Sequence, residues 1–277
     1  KADFLSERHR GIERENIDLF IKSIKRYHID STIIHCTDLF TETFKDVDII
    51  HRENFDLNHL MFGRVKCFAS FAINKPSIYL DPDMLVMKTI PIKLFEEKAE
   101  VFLLKRSFDL SDIMPTKFRE LEYPDHKNKS LEKVYPFIGC FVILKNQNFW
   151  IDCLKYYERL DENYKNWFGD QEVFKRLVEE NNYKFAYLEE KNFACPPQHL
   201  SGKDRPFIIH FKGKYNKEFF ISIVEKGMSE KGYNLEILSN DNVQKAARLI
   251  ESQLGSECKE SNLKDEKFRI DLYQILD

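Results

Sequence analysis

The stretch Ser77-Ile-Tyr-Leu-Asp-Pro-Asp-Met-Leu-Val86 constrains the fold more than any other part of the chain. A short apolar run rich in β-branched and aromatic residues reads as a buried strand. Pro82 has no backbone N–H to give to a ladder, so the strand is expected to stop near Asp81. Two carboxylates, Asp81 and Asp83, then stand where a strand ends and the chain turns. Open α/β sheets place their ligands at that kind of position. Carboxylates one residue apart can share a hard divalent cation, Mg²⁺ or Mn²⁺, which also takes oxygen ligands from phosphate.

The remainder of the chain alternates strands with helices. Helical periodicity is expected from Glu15 to His28, Asn58 to Ala72, Gln147 to Leu160 and Gln171 to Glu180. Strands are expected at 31–36, 77–80, 100–104, 137–144, 183–188 and 206–211. Such alternation predicts a mainly parallel sheet with helices on both faces. Between Lys105 and Val134 the pattern weakens, which suggests a long insertion. From about Tyr233 the apolar strands end. Val243–Leu254 and Lys267–Leu276 read as amphipathic helices that pack on the main domain, a second subunit or a membrane surface.

Composition excludes several classes. With 43% hydrophobic and 14% aromatic residues among 277, the chain can bury a real core. A net charge of −3 gives no electrostatic footprint for nucleic acid. The six cysteines form no C-x-x-C pair and fit no zinc spacing, so a reducing, cytoplasmic setting is expected. No apolar run is long enough for a membrane span, and no signal peptide is visible.

Two further segments carry candidate chemistry. In Phe168-Gly-Asp-Gln-Glu-Val-Phe174, Asp170 and Gln171 stand at a helix start, where an acidic residue is ordinarily a cap. In Phe207-Ile-Ile-His-Phe-Lys-Gly-Lys-Tyr-Asn-Lys217, an apolar strand delivers His210, followed by Gly213 and the lysines 212, 214 and 217. A histidine there is ordinarily structural, but it also suits a metal site, and glycine lets backbone approach a phosphate.

Taken in order, these residues resemble the GT-A glycosyltransferases, and most of all glycosyltransferase family 8 with its bacterial lipopolysaccharide and capsule relatives. Asp81-Pro82-Asp83 matches the family's Asp-x-Asp motif, Arg64 its donor-reaching arginine, Gly139 its glycine near the sugar, and Asp170-Gln171 its Asp-Gln pair. His210 and Gly213 match the start of its His-x-x-Gly-x-x-Lys motif. Position 216 is Asn, which leaves Lys214 or Lys217 as the phosphate-contacting lysine.

The resemblance spans roughly residues 15 to 217. It implies a nucleotide-sugar transferase domain over 1–232 and a helical extension over 233–277. GT-A folds open with a strand that binds the base. No convincing strand precedes Glu15, so that strand is either upstream of Lys1 or absent.

The implied function is transfer of a sugar, with retention, from a UDP-linked donor to a glycan or lipid-linked acceptor at the inner face of a membrane. Mn²⁺ or Mg²⁺ would be held by Asp81, Asp83 and His210. Arg64, Gly139, Gly213, Lys214 and Lys217 would contact the donor, and Asp170 and Gln171 would sit beside the sugar. The alternatives are an inactive GT-A-like binding or scaffold protein and, less favoured, a haloacid-dehalogenase-type phosphatase.

Overall fold

The computed structural model describes residues 7–54, 59–71, 75–91, 93–108, 117–118, 121–122, 129–165, 167–200 and 206–212, with backbone alone for 7–15 and for the short pairs 117–118 and 121–122. Gly213, Lys214, Lys217 and the expected C-terminal helices lie outside the described residues.

In chain order the helices are α1 (Glu7–Tyr27), α2 (Leu60–Ser70), α3 (Lys93–Glu96), α4 (Leu131–Val134), α5 (Asn148–Arg159), α6 (Gly169–Glu180) and α7 (Glu190–Phe193). The strands are β1 (Ile34–Thr37), β2 (Ile49–Arg52), β3 (Ser77–Leu80), β4 (Met84–Val86), β5 (Val101–Lys105), β6 (Lys117–Phe118), β7 (Leu121–Glu122), β8 (Phe137–Leu144), β9 (Phe185–Glu189) and β10 (Ile208–His210). The fold class is α/β, as the alternation predicts.

Strand direction departs from the mainly parallel expectation. The central sheet has the order β3-β8-β5-β9. β8 runs antiparallel to both β3 and β5, and β5 runs parallel to β9. The sheet is therefore mixed: β3, β5 and β9 point one way, and β8 is inserted between them in reverse. The sequence conceals this because β8 is buried on both faces. It reads as an unbroken apolar run whichever way it points. Its two neighbours, β3 and β5, both precede the 105–134 insertion, and β8 returns after it to lie between them. β1 and β2 form a separate parallel pair, β4 and β10 an antiparallel one, and β6 and β7 a short antiparallel one.

Both faces of the central sheet are covered. On one, Tyr79, Val101, Leu103, Val142 and Leu144 pack with Val65 of α2, Trp150, Cys153 and Tyr157 of α5, and Val173, Phe174 and Leu177 of α6. On the other, Phe102, Leu104, Ile138, Cys140, Phe141 and Ile143 pack with Phe20 of α1, Leu94 of α3, Phe193 of α7 and residues of β4 and β10. Residues 101 to 104 of β5 alternate strictly between the two faces, as the period of a strand requires.

β8 does not alternate throughout. Cys140 and Phe141, although adjacent, share a face. The cause is a register shift: Leu103 pairs with Val142 but Leu104 with Ile138, so the irregularity takes up Gly139, Cys140 and Phe141. Bulges of this kind bend a strand and re-aim its side chains, often beside functional sites.

Several boundaries follow from local chemistry. α1 starts at Glu7 rather than at the expected Glu15. Ser23 of α1 is buried, donating to Phe20 O and accepting from Val86 N, which fastens the helix to β4. α6 ends at Asn181, whose φ of 56° is left-handed; asparagine is among the residues that tolerate that region at a helix C-terminus. Among the described residues no helix is long and apolar enough to cross a membrane. Cys67, Cys140, Cys153 and Cys195 are buried and free, and each serves as a small core residue.

Candidate functional site

Because β3, β5 and β9 share a direction, their C-terminal ends lie along one rim of the sheet. Asp81 follows β3, Arg106 follows β5 and Glu190 follows β9. β8 enters at that rim, bringing Gly139 near its start. Topology alone thus gathers polar residues that are far apart in sequence.

The Asp81-Pro82-Asp83 turn links β3 to β4. Backbone hydrogen bonds fix it on both sides: Asp81 N donates to Cys140 O (3.0 Å), and Phe211 N donates to Asp83 O (2.9 Å). The second bond places the end of β10 against the turn. His210 pairs with Met84 in the β4–β10 ladder, and its N–H donates to Cys195 O (3.0 Å). One ligand atom from each of Asp81, Asp83 and His210 then lies within 4.8 Å of the others. Nε2 of His210 is 3.4 Å from Oδ1 of Asp83. His210 is buried, while the Asp81 and Asp83 side chains remain 28% and 20% exposed, so the cluster opens on the carboxylate side.

A second cluster adjoins the first. Arg64 of α2 donates from Nη1 to Oδ1 of Asp81 (2.7 Å) and from Nη2 to Oδ2 of Asp170. One guanidinium fork thus bridges two carboxylates. Asp170 does not cap its helix. The N-cap of α6 is Phe168, with no side-chain cap bond, and the Asp170 carboxylate turns to Arg64 instead. Its side chain is only 1% exposed, and its Oδ1 is buried without a hydrogen-bond partner among the described residues.

Two glycines make this arrangement possible. A Cβ on Gly139 would fall inside van der Waals contact of Asp170 Oδ2 and within 2.5 Å of Arg64 Nη2. A Cβ on Gly169 would come within 2.5 Å of the Tyr157 hydroxyl, so glycine lets the start of α6 sit against α5.

The electrostatics follow from crowding. Burial raises the pKa of Asp81, Asp83 and Asp170 push it further, and Arg64 and His210 pull against them; the net direction is upward. Burial opposes the charge on Arg64, but Asp170 and Asp81 outweigh it and hold the guanidinium firmly protonated. Burial would discharge His210, yet its hydrogen bonds with Asp83 and Cys140 and the charge of the Asp83 carboxylate act the other way, and its pKa lies above the ordinary value. Burial pushes the Cys140 thiol up, which keeps it protonated. Three carboxylates therefore share one arginine and one histidine, an arrangement that favours an added cation.

Gln171 lies beside Asp170 on α6, and its Oε1 accepts from Nη2 of Arg106 (3.1 Å). Sequence reasoning brought Asp81, Asp83, Arg64, Gly139, Asp170, Gln171 and His210 to attention, and the structure places all seven along one rim. It missed Arg106, Cys140 and Glu190. Arg106 is the buried residue that follows the apolar β5, and Glu190 the buried one that follows β9. A buried charge at the carboxyl end of a strand was the available signal.

No protein-family model matches the chain, and no curated protein matches it. Solved structures do. One is the apo WbbM bifunctional glycosyltransferase, at 13% identity and a TM-score of 0.49, covering 86% of this chain and 50% of that one. A second is the glycosyltransferase GlyE of Streptococcus pneumoniae TIGR4, at 14% identity and a TM-score of 0.40, covering 86% of this chain and 61% of that one. A third is a putative glucose-1-phosphate thymidylyltransferase from Bacillus anthracis in complex with a sucrose, at 12% identity and a TM-score of 0.30, covering 52% and 57%. The chain spans between 50% and 61% of the length of these structures.

Proposed function

We propose that the chain is a metal-dependent glycosyltransferase of the GT-A type, related to family 8. In this reading it moves a hexose from a UDP-linked donor to a glycan or lipid-linked acceptor with retention. The observation that carries the reading is the convergence of Asp81, Asp83 and His210 at the end of β3, with ligand atoms within 4.8 Å of one another.

The donor set fits the implied ion. Two carboxylate oxygens and one imidazole nitrogen suit Mn²⁺ or Mg²⁺, and the open carboxylate side leaves room for phosphate oxygens. Asp81, Asp83 and His210 would hold the cation. When bound, it would neutralise the charge that gathers on a departing nucleoside diphosphate.

The chain's own residues supply the rest. Arg64 aligns Asp81 with Asp170, its two terminal nitrogens held by those carboxylates. Asp170 places a buried negative charge one arginine away from the cation site, where positive charge on an anomeric carbon would be stabilised. Gln171 stands next to it to orient the sugar. Gly213 and Lys214 or Lys217 follow His210 in the chain and would meet the diphosphate.

The test is isothermal titration of UDP with and without Mn²⁺ on the native chain and on Asp83→Asn. The native chain is expected to bind UDP only with Mn²⁺, to lose binding with a chelator, and to lose it again in Asp83→Asn. Metal-dependent binding that survives Asp83→Asn removes this residue from the site. Full sugar transfer by His210→Ala returns the histidine to the core.

A further inference from the structure

The polar rim continues past Gln171 into groups that the proposed function leaves without a role. Arg106 is buried, at 4% exposed, immediately after β5. Its Nε donates to Tyr135 O (3.1 Å), and its Nη2 donates to Gln171 Oε1 (3.1 Å). The two residues that follow it are pinned by Glu190. Oε2 of Glu190 accepts from the backbone N–H of Ser107 (2.8 Å) and of Phe108 (3.1 Å). Glu190 is itself fully buried. A turn held by two charge-assisted bonds to an immobile carboxylate gives Arg106 a fixed origin, and Tyr135 O fixes its direction.

A guanidinium carries donors and no acceptor, so only the oxygen of an amide can bond to it. Arg106 therefore settles which way round the Gln171 amide lies. Its oxygen faces Arg106, and its NH₂ group is turned away from the guanidinium. Without Arg106 the amide is free to rotate and offer either group.

Resting on the transferase reading, the geometry points to Arg106 as a positioning residue that locks the Gln171 amide with its N–H donors turned away from the guanidinium, with Glu190 holding the turn from which Arg106 projects. The substrate group that suits this arrangement is an oxygen acceptor, a sugar hydroxyl or ring oxygen. An ammonium or other donor-only group does not.

The experiment is a double-mutant cycle on kcat for Mn²⁺-dependent hydrolysis of UDP-glucose, UDP-galactose and UDP-N-acetylglucosamine, using whichever the native chain turns over fastest. Arg106→Met is expected to lower kcat by about 10- to 100-fold, the scale of a small misplacement of a working group, with KM within about threefold. In a Gln171→Ala background the same change is expected to cost nothing further, because the group it positions is gone.

A readout independent of turnover is the side-chain amide resonance of Gln171, identified by its loss in Gln171→Ala. It is expected to be dispersed in the native chain and to collapse toward the free-amide position in Arg106→Met. Should Arg106→Met not fold, Arg106→Lys carries the same cycle, with a smaller loss because one donor survives.

An equal loss in both backgrounds, or an unmoved Gln171 resonance, overturns the assignment while leaving the transferase reading intact. A native chain that neither binds UDP with Mn²⁺ nor turns over any of the three donors overturns the transferase reading and this role with it.

Discussion

The two rims of the central sheet use polar residues in opposite ways. At the rim where β5 and β9 begin, polar groups tie backbone together and are satisfied. Glu100 Oε2 accepts from Lys184 N (3.0 Å), Lys145 N donates to Glu100 O (2.9 Å), and the Tyr183 hydroxyl donates to Asp152 Oδ2 (2.6 Å). Its charges are partly exposed. At the rim where β3, β5 and β9 end, charges are buried and oxygens are left over: Asp170 Oδ1 and Glu190 Oε1 have no hydrogen-bond partner among the described residues. A buried oxygen without a partner is costly, and folding alone gives no reason to keep it. One rim is arranged for stability, and the other holds charges that a ligand would complete.

The largest effect that would sharpen this contrast is expected from Arg64→Met. It leaves Asp170 buried and unpaired, and removing one partner of such a pair costs about 3–5 kcal/mol. Denaturant unfolding reads the loss, and UDP binding with Mn²⁺ is expected to disappear with it. A variant as stable as the native chain would mean that Asp170 is not held as a charge.

Gly139→Ala comes next. The new Cβ meets Asp170 Oδ2 and Arg64 Nη2, and overpacking of this kind costs about 1–3 kcal/mol. Thermal unfolding and UDP titration should both move, because the same collision displaces both site residues. Unchanged affinity would separate Gly139 from the site.

Tyr183→Phe, at the opposite rim, removes one partly buried hydrogen bond. A loss of about 0.5–1.5 kcal/mol is expected, with UDP binding unaltered. Lost binding would break the contrast.

The smallest effect is one of pH. Glu100 has its pKa lowered, first by the Lys184 N–H and also by Asn146 and the Lys184 charge. A carboxylate whose pKa is depressed on folding contributes stability above its ordinary titration range and loses that contribution as the pH falls through the lowered value. Solvent screening keeps the amount below about 1 kcal/mol. Comparison of Glu100→Gln with the native chain between neutral and acid pH should show the gap closing on acidification.

What the sequence made legible follows physical lines. β8 was readable end to end because eight consecutive residues, Phe137 to Leu144, carry a run that only a buried strand accommodates. α5 and α6 were readable from their apolar faces. Asp81 and Asp83 stood out because they are a pair, one residue apart around a proline, directly after an apolar strand. Direction was not readable, since β8 is apolar on both faces whichever way it runs. β2 was missed because Ile49 and Ile50 are exposed and show no alternation. Asp170 was ambiguous, since a cap and an ion-pair partner have the same local sequence. Only the fold brings Arg64 across from α2. Arg106 and Glu190 escaped notice because single charges after strands are common, and their link runs through backbone N–H groups that no sequence pattern marks.

The irregularity in β8 has one more consequence. Upstream of it, odd positions of the strand look toward α6; downstream, even positions do. The strand behaves as two half-strands in different phase, joined at Cys140 and Phe141. Deleting one residue at that junction would restore an unbroken pleat and leave each half facing the layer it faces now. The cost would fall on the ladder: the three residues between the Leu103–Val142 and Leu104–Ile138 pairs would become two, so Gly139 and the Leu144 end would no longer both keep their places along β5. Length, at this one place, is as binding as chemistry.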